Sequence, residues 1–148
     1  MEGTDDMDVF EKLMQDHRIL GRCFAEIERT SDKDAARREQ LFQELQAKLE
    51  AHEMFEEEVV YPEIDQIPQA ASMIGEVYES HAEFDGIAQE LSYVHVTDSE
   101  WIRRIRELKD LIQEHVRMEE ERLFPAARAR LAESRAEELG REFEARRN

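Results

Sequence analysis

Two stretches of this chain read alike, residue for residue in register: His52-Glu53-Met54-Phe55-Glu56-Glu57-Glu58-Val59-Val60-Tyr61-Pro62 and His115-Val116-Arg117-Met118-Glu119-Glu120-Glu121-Arg122-Leu123-Phe124-Pro125. Both follow His-x-x-x-Glu-Glu-Glu-x-x-aromatic-Pro. On an α-helix, residues i and i+4 stack on one face. His52 with Glu56, and His115 with Glu119, therefore each aim one imidazole and one carboxylate at a common point. Two such helices packed face to face enclose two nitrogens and two carboxylates able to bridge, which is a site for two transition-metal ions rather than one.

His17 and His81 fall on two further segments with helical periodicity. The order is then one imidazole or one imidazole–carboxylate pair per helix, over four helices, and four-helix bundles build metal sites from side chains that project inward from facing helices. The rest of the composition agrees with an all-α chain. Of 148 residues 39% are charged, with only five Gly and three Pro, which suits long helices with solvated outer faces in a single domain over 1–148. A formal charge of −17 argues against a nucleic-acid partner and against anionic membrane surfaces. No stretch approaches the length of a transmembrane helix. Residues 1–6 are acidic and do not read as a secretory signal, and Cys23 is the sole cysteine, so no intramolecular disulfide forms. A cytoplasmic location follows as an expectation.

The pattern predicts a first helix from Asp8, with Asp8 and Glu11 as a capping box and Phe10, Leu13, His17, Leu20 and Phe24 on its inner stripe. A turn at Ser31–Asp34 leads to a second helix from about Ala35 to Asp65, bracketed by Pro62 and Pro68. A third spans about Pro68 to Val94, with Val77, His81, Phe84, Asp85 and Leu91 in period. Thr97 and Glu100 have capping-box spacing ahead of the fourth, whose stripe carries Trp101, Ile105, Leu108, Ile112, His115, Met118 and Glu119, and which Pro125 ends or bends. The metal-binding bundle is expected over about 8–130. A charged helix over about 132–147 is expected to pack loosely across one end.

A single His-x-x-x-Glu is ordinary on a helix surface. Two copies in register, both on apolar stripes, are different, because a buried ionised carboxylate without a partner is very costly and metal coordination is the simplest offset. His17 and His81, taken singly, read as hydrogen-bonded core histidines; beside the tandem pairs they read as ligands. Asp85, one turn after His81, could ligate or orient a ligand, or lie partly exposed. Glu53 is a further candidate carboxylate, though about 100° round the helix from His52. The string His-Glu-x-x-Glu lacks the second His of a zinc protease. Glu57, Glu58, Glu120, Glu121 and His95 are expected on solvated surface, and Met14, Met73 and Met118 in the core. Imidazole with carboxylate and no thiolate suits Fe, Mn or Zn, and not Cu(I) or an iron–sulfur cluster. The Glu-x-x-His string of ferritin-like bundles is absent, since Leu49, Tyr78 and Ile112 stand where its Glu would be.

The succession His17, His52-x-x-x-Glu56, His81, His115-x-x-x-Glu119 resembles the hemerythrin-like (HHE cation-binding) family over roughly Asp8 to Pro125, and the Glu-Glu-x-x-x-aromatic-Pro endings are similar to its bacterial members. The resemblance implies an up-down-up-down four-helix bundle around a non-heme di-iron centre, with Glu56 and Glu119 bridging and the four histidines terminal. Oxygen carriers of that family place a second His one turn after the third-helix His, where this chain has Asp85, which leaves the site one imidazole short for reversible dioxygen carriage. Three functions remain open: a di-iron protein that senses or handles O2, NO, peroxide or iron, with a partner protein if it signals; a di-iron enzyme consuming peroxide or NO; and a metal-free structural bundle.

Overall fold

The computed structural model describes residues 7–147; the acidic residues 1–6, read above as no secretory signal, lie outside them. Helix α1 (Val9–Glu28) leads into α2 (Ala35–Phe55), which runs on through a π segment (Glu56–Val60) into α3 (Tyr61–Ile64). The single turn α4 (Pro68–Ala71) precedes α5 (Ile74–Leu91). Helix α6 (Ser99–Met118) likewise runs through a second π segment (Glu119–Leu123) into α7 (Phe124–Arg128), and α8 (Glu133–Arg147) follows. Among the described residues there is no strand. The four long helices α1, α2, α5 and α6 alternate in direction, so that His17 lies beside His52 and His81 beside His115, each pair of rings 5.0 Å apart.

The caps follow from short polar side chains at the right offsets. Asp8 accepts from the Glu11 amide at 2.9 Å while Glu11 accepts from the Asp8 amide at 3.0 Å, the reciprocal pair that satisfies two orphan donors. At α6 the cap is Asp98, which accepts from the Glu100 amide at 2.9 Å, one residue later than Thr97. The third helix is broken where one continuous helix was expected: the Met73 amide turns back to Ala70 O at 3.0 Å, a tighter bend that buries both Ala70 and Ile74. Pro62 and Pro125 do not end their helices. A proline's ring clashes with the carbonyl four residues back. Here the amide before each proline bonds five residues back instead, Tyr61 to Glu56 O and Phe124 to Glu119 O, and the wider turn lets the helix pass through.

Two apolar clusters fill the bundle. One gathers Phe10, Leu13, Phe55, Tyr61, Ile64, Val77, Leu123 and Phe124; the other gathers Leu20, Phe24, Ile27, Leu45, Phe84, Leu91, Trp101, Ile105 and Leu108. Between them lies a buried polar layer of His17, His52, Glu56, His81, His115 and Glu119.

Helix α8 is docked firmly, contrary to the expectation of loose packing. Its few apolar residues, Ala136, Leu139 and Phe143, fall at helical spacing with Gly140 and make one buried stripe. It runs parallel to the first half of α1, with Lys12 Nζ 2.9 Å from Glu144 and Phe143 edge-on to Phe55 at 5.1 Å. Gly140 permits the approach, since a Cβ there would stand 2.7 Å from Met7 O. Gly140→Ala gains about 0.5–1 kcal/mol of helix propensity but forces backbone apart at a cost of about 1–3 kcal/mol. The expected result is a lower urea midpoint; an unchanged or higher midpoint would show that the contact yields cheaply.

Candidate metal centre

The polar layer brings together six of the eight residues singled out in the sequence. Single ligand atoms from His17, His52, Glu56 and Glu119 lie within 4.8 Å of one another, and so do those of Glu56, His81 and His115. Glu56 Oε1 stands 3.3 Å from His52 Nε2, 3.1 Å from His81 Nε2 and 4.0 Å from His115 Nε2. Glu119 Oε1 stands 3.1 Å from His17 Nε2 and 3.4 Å from His115 Nε2. Each carboxylate thus touches histidines from both halves of the bundle. Both carboxylates are 0% exposed.

The other ring nitrogens fix the orientation. His17 Nδ1 donates to Glu120 at 2.6 Å, His52 Nδ1 to Asp16 at 2.8 Å and His81 Nδ1 to Glu57 at 2.7 Å. With Nδ1 donating outward, the neutral ring presents the Nε2 lone pair inward, toward carboxylate oxygens that are also acceptors. His17 Nε2, His52 Nε2, His115 Nε2, Glu56 Oε2 and Glu119 Oε1 are buried with no hydrogen-bond partner. Facing acceptors repel unless a cation lies between them. Ligands about 2.1 Å from a metal and at right angles around it sit about 3 Å apart, close to the separations found here. The residues present therefore fit a metal ion, and the outward Nδ1–carboxylate bonds are the usual supports of metal-binding histidines.

Without a cation, protons must carry the compensation. Burial alone would lower His52, yet Glu56 and Asp16 hold it well above its ordinary value. Burial also opposes protonation of His81, but Glu56 and Glu57 raise it to about 9. Glu119 is held well below the carboxylate range against the effect of burial, by His115, Glu56 and His17.

Sequence reasoning missed Tyr61, Glu57, Glu120, Asp16 and Arg147. The Tyr61 hydroxyl lies 2.6 Å from Glu119 Oε2, 2.9 Å from Glu56 Oε1 and 3.3 Å from His81 Nε2, so its one proton serves two carboxylates. Burial, then Glu119 and Glu56, push its ionisation well above the ordinary value, and it stays a phenol. Glu57 and Glu120 are not solvated bystanders, because they orient His81 and His17; Glu58 and Glu121 are exposed as expected. Asp16 is gripped by Arg147 from α8, with contacts of 3.1 and 2.8 Å. The signal for Glu57 and Glu120 was the middle Glu of the repeated triplet.

The two remaining candidates lie off the layer. Asp85 is exposed, and its carboxylate faces Glu53 rather than the centre; Glu57, not Asp85, orients His81. Glu53 is buried, with ligand atoms of Glu57 and His81 nearby, on the outer side of that imidazole. Burial pushes Glu53 up to about 8, with Asp85 and Glu57 adding to the rise and His81 opposing it. His95 is on the surface, against Thr97. A groove of about 460 Å³ lined by His17, Gly21, Phe24, Ile112, Val116 and Glu120 opens from the layer to solvent.

A helical bundle whose core is a layer of histidines and carboxylates defines a cation-binding class, and comparison with known proteins places the chain within it. The hemerythrin HHE cation binding domain model matches residues 8–127, and the chain belongs to that family. A relative named DNA nickase, from Nostoc sp. (strain PCC 7120 / SAG 25.82 / UTEX 2576), is 28% identical over 146 residues, 97% of this chain but 41% of its own length. The chain therefore spans less than half of that relative. The crystal structure of a hemerythrin HHE cation binding domain-containing protein, the Rv2633c homolog from Mycobacterium kansasii, aligns with a TM-score of 0.84 at 21% identity, over 95% of this chain and 85% of that one. That likeness is one of fold.

The support chain Arg147–Asp16–His52 yields a prediction. Asp16→Asn should speed loss of bound metal to a chelator by about 10–100-fold, the usual effect of removing such a support, and Arg147→Ala should act in the same direction but less. Chelator competition checks this; unchanged release from both variants would mean that His52 needs no anchor.

Proposed function

We propose that the centre holds two iron ions bridged by Glu56 and Glu119, with His17 and His52 completing one and His81 and His115 the other, and that the protein senses or handles a small oxidant or diatomic ligand: O2, NO or peroxide. The observation that carries this is the set of inward Nε2 and carboxylate atoms, buried and without hydrogen-bond partners, beside nitrogens committed outward. The donor set of imidazole and carboxylate suits iron, with manganese or zinc as substitutes. Two irons so held supply one-electron chemistry and positions at which a small ligand binds.

The groove beside His17 and Gly21 gives such a ligand a path from solvent. Position 85, a histidine in the oxygen carriers that the chain resembles, is an exposed aspartate, which argues for handling or sensing over reversible carriage. The activity in the nickase's name is that protein's. At a formal charge of −17 this chain is ill suited to a phosphate backbone. No helix among the described residues is long and apolar enough to cross a membrane. The lone buried Cys23 suits a cytoplasmic setting, and a signalling role would act through a protein partner.

A second reading, turnover of peroxide or NO, is favoured by Tyr61. Its hydroxyl holds a proton inside the layer, 2.6 Å from Glu119 Oε2 and 3.3 Å from His81 Nε2, available to a ligand bound on the His81 side.

Iron-replete protein should carry about two irons per chain by elemental analysis and melt higher than metal-free protein. With free metal about a thousandfold above Kd, that is about 4 kcal/mol of stabilisation. One tightly held zinc, no metal, or equal melting temperatures would sink the reading. Tyr61→Phe should keep the two irons and slow peroxide consumption about 100-fold, within the usual range for a positioned acid. Equal rates would confine Tyr61 to packing.

A further inference from the structure

The near-twofold repeat supplies its own control. Around His17 and around His81 the bundle has equivalent positions, but two differ in character. Beside His17 they are Gly21 and Val116, which line the open groove. Beside His81 they are Asp85 and Glu53. Glu120 and Glu57 are shared, each bonded to its histidine. Orienting the imidazole thus needs one carboxylate, and the flank of His81 carries two more.

Of the two, Asp85 is at the surface and Glu53 is not. Glu53 is 6% exposed, and its Oε2 is buried without a hydrogen-bond partner. Ligand atoms of Glu53, Glu57 and His81 lie within 4.8 Å of one another, and Asp85 stands exposed one turn along α5 from His81, near enough to act on the ionisation of Glu53. No Lys or Arg pairs with Glu53, Glu57 or Asp85 among the described residues. Exposure falls stepwise along this line: Asp85 is open to solvent, the Glu57 side chain is 39% exposed, that of His81 2% and that of Glu56 0%. An unpaired buried carboxylate is costly, and a cluster of them is worse without a cation.

We propose that Glu53, Glu57 and Asp85 form an outer divalent-cation site, separate from the buried centre and divided from it by the His81 imidazole, where a metal ion is collected before it moves inward. Oxygen ligands alone favour hard divalent ions such as Mn2+ and accept borderline Fe2+ weakly, which suits a transient stop. The site binds more weakly than the centre, since it is half open to water and holds no imidazole of its own: His81 Nδ1 is bonded to Glu57. The loading role rests on the reading of the centre as a metal site; the outer ion does not.

The test uses Mn2+ added to metal-free protein, with free ion followed by electron paramagnetic resonance, and Fe2+ uptake followed by the colour of the filled centre. Three proteins are compared: wild type, Asp85→Asn, and Glu53→Gln with Asp85→Asn. Asp85 is exposed and Glu53→Gln replaces a buried carboxyl group by an amide of the same shape, so both variants fold, which thermal melts verify. Wild type should bind two ions tightly and a third more weakly. The double variant should keep the pair, lose at least tenfold in affinity for the third, and fill with Fe2+ about tenfold more slowly to the same endpoint; Asp85→Asn should fall between. A third ion bound equally by all three proteins, or no third ion, overturns the site. Equal uptake rates with the third ion lost overturn the loading role. A Glu53-dependent ion in wild type that lacks the tight pair would sink the reading of the centre and leave the outer site standing.

Discussion

The structure depends on two carboxylates placed where water cannot reach them. Glu56 and Glu119 are fully buried between two apolar clusters, and an ion there costs several kcal/mol unless it is compensated. Each part of the layer answers that cost. Four imidazoles face the pair, a phenol donates between them, and the imidazoles are held in turn by carboxylates nearer the surface. The compensation is incomplete with protein groups alone, since both glutamates keep an oxygen without a hydrogen-bond partner. That shortfall is the physical mark of a cation site.

The π segments are the backbone device that builds the layer. An α-helix aligns i with i+4, so His52 and Glu56 meet; a π turn aligns i with i+5. Because the π segment begins at Glu56, Tyr61 is brought under the same carboxylate that His52 reaches from above. The second copy does the same with Glu119 and Phe124, whose ring stacks on His17 at 6.1 Å. The proline that follows each aromatic is part of the device, for it favours the widened turn over a regular one. The repeated aromatic-Pro ending therefore encodes a helix that changes pitch to bring an aromatic ring against the histidine–carboxylate layer.

This is why the sequence was legible in some places and opaque in others. The helical character of the four long segments, the two His-x-x-x-Glu pairs and the inward His17 and His81 follow from α-periodicity; the break before Ile74 does not. Tyr61 was hidden because that period turns i+5 about 140° away from i. Glu57 and Glu120 were hidden for a related reason: each sits one residue beyond a buried carboxylate and points at the neighbouring helix, and only the assembled bundle shows a histidine there. Asp16 and Arg147 act across elements far apart in the chain. The firm seat of α8 was missed because its apolar residues are few, although their spacing makes a stripe and Gly140 lets backbones touch. Asp85 keeps register with His81, and of the readings open for it the exposed one holds, since one turn along α5 from the buried imidazole it stands at the bundle surface.

The two halves are alike in ligands and unlike in support, and the difference has a direction. At the His17–His52 position both Nδ1 atoms are anchored, one of them through Asp16 to Arg147, and Phe124 covers the ring. At the His81–His115 position only His81 is anchored: His115 Nδ1 is buried with no partner, because the residue that matches Asp16 is Ser80, whose hydroxyl is turned back to Glu76 O at 3.1 Å. An imidazole without that bond gains less basicity and less rigidity as a ligand. The less firmly anchored pair is also the one beside the Tyr61 hydroxyl and beside Glu53 and Asp85, while the groove reaches the firmly anchored one. The asymmetry thus has one sense throughout the bundle: a pair of histidines with both Nδ1 atoms anchored beside an open groove, and a pair with one anchor beside the Tyr61 hydroxyl and the extra carboxylates.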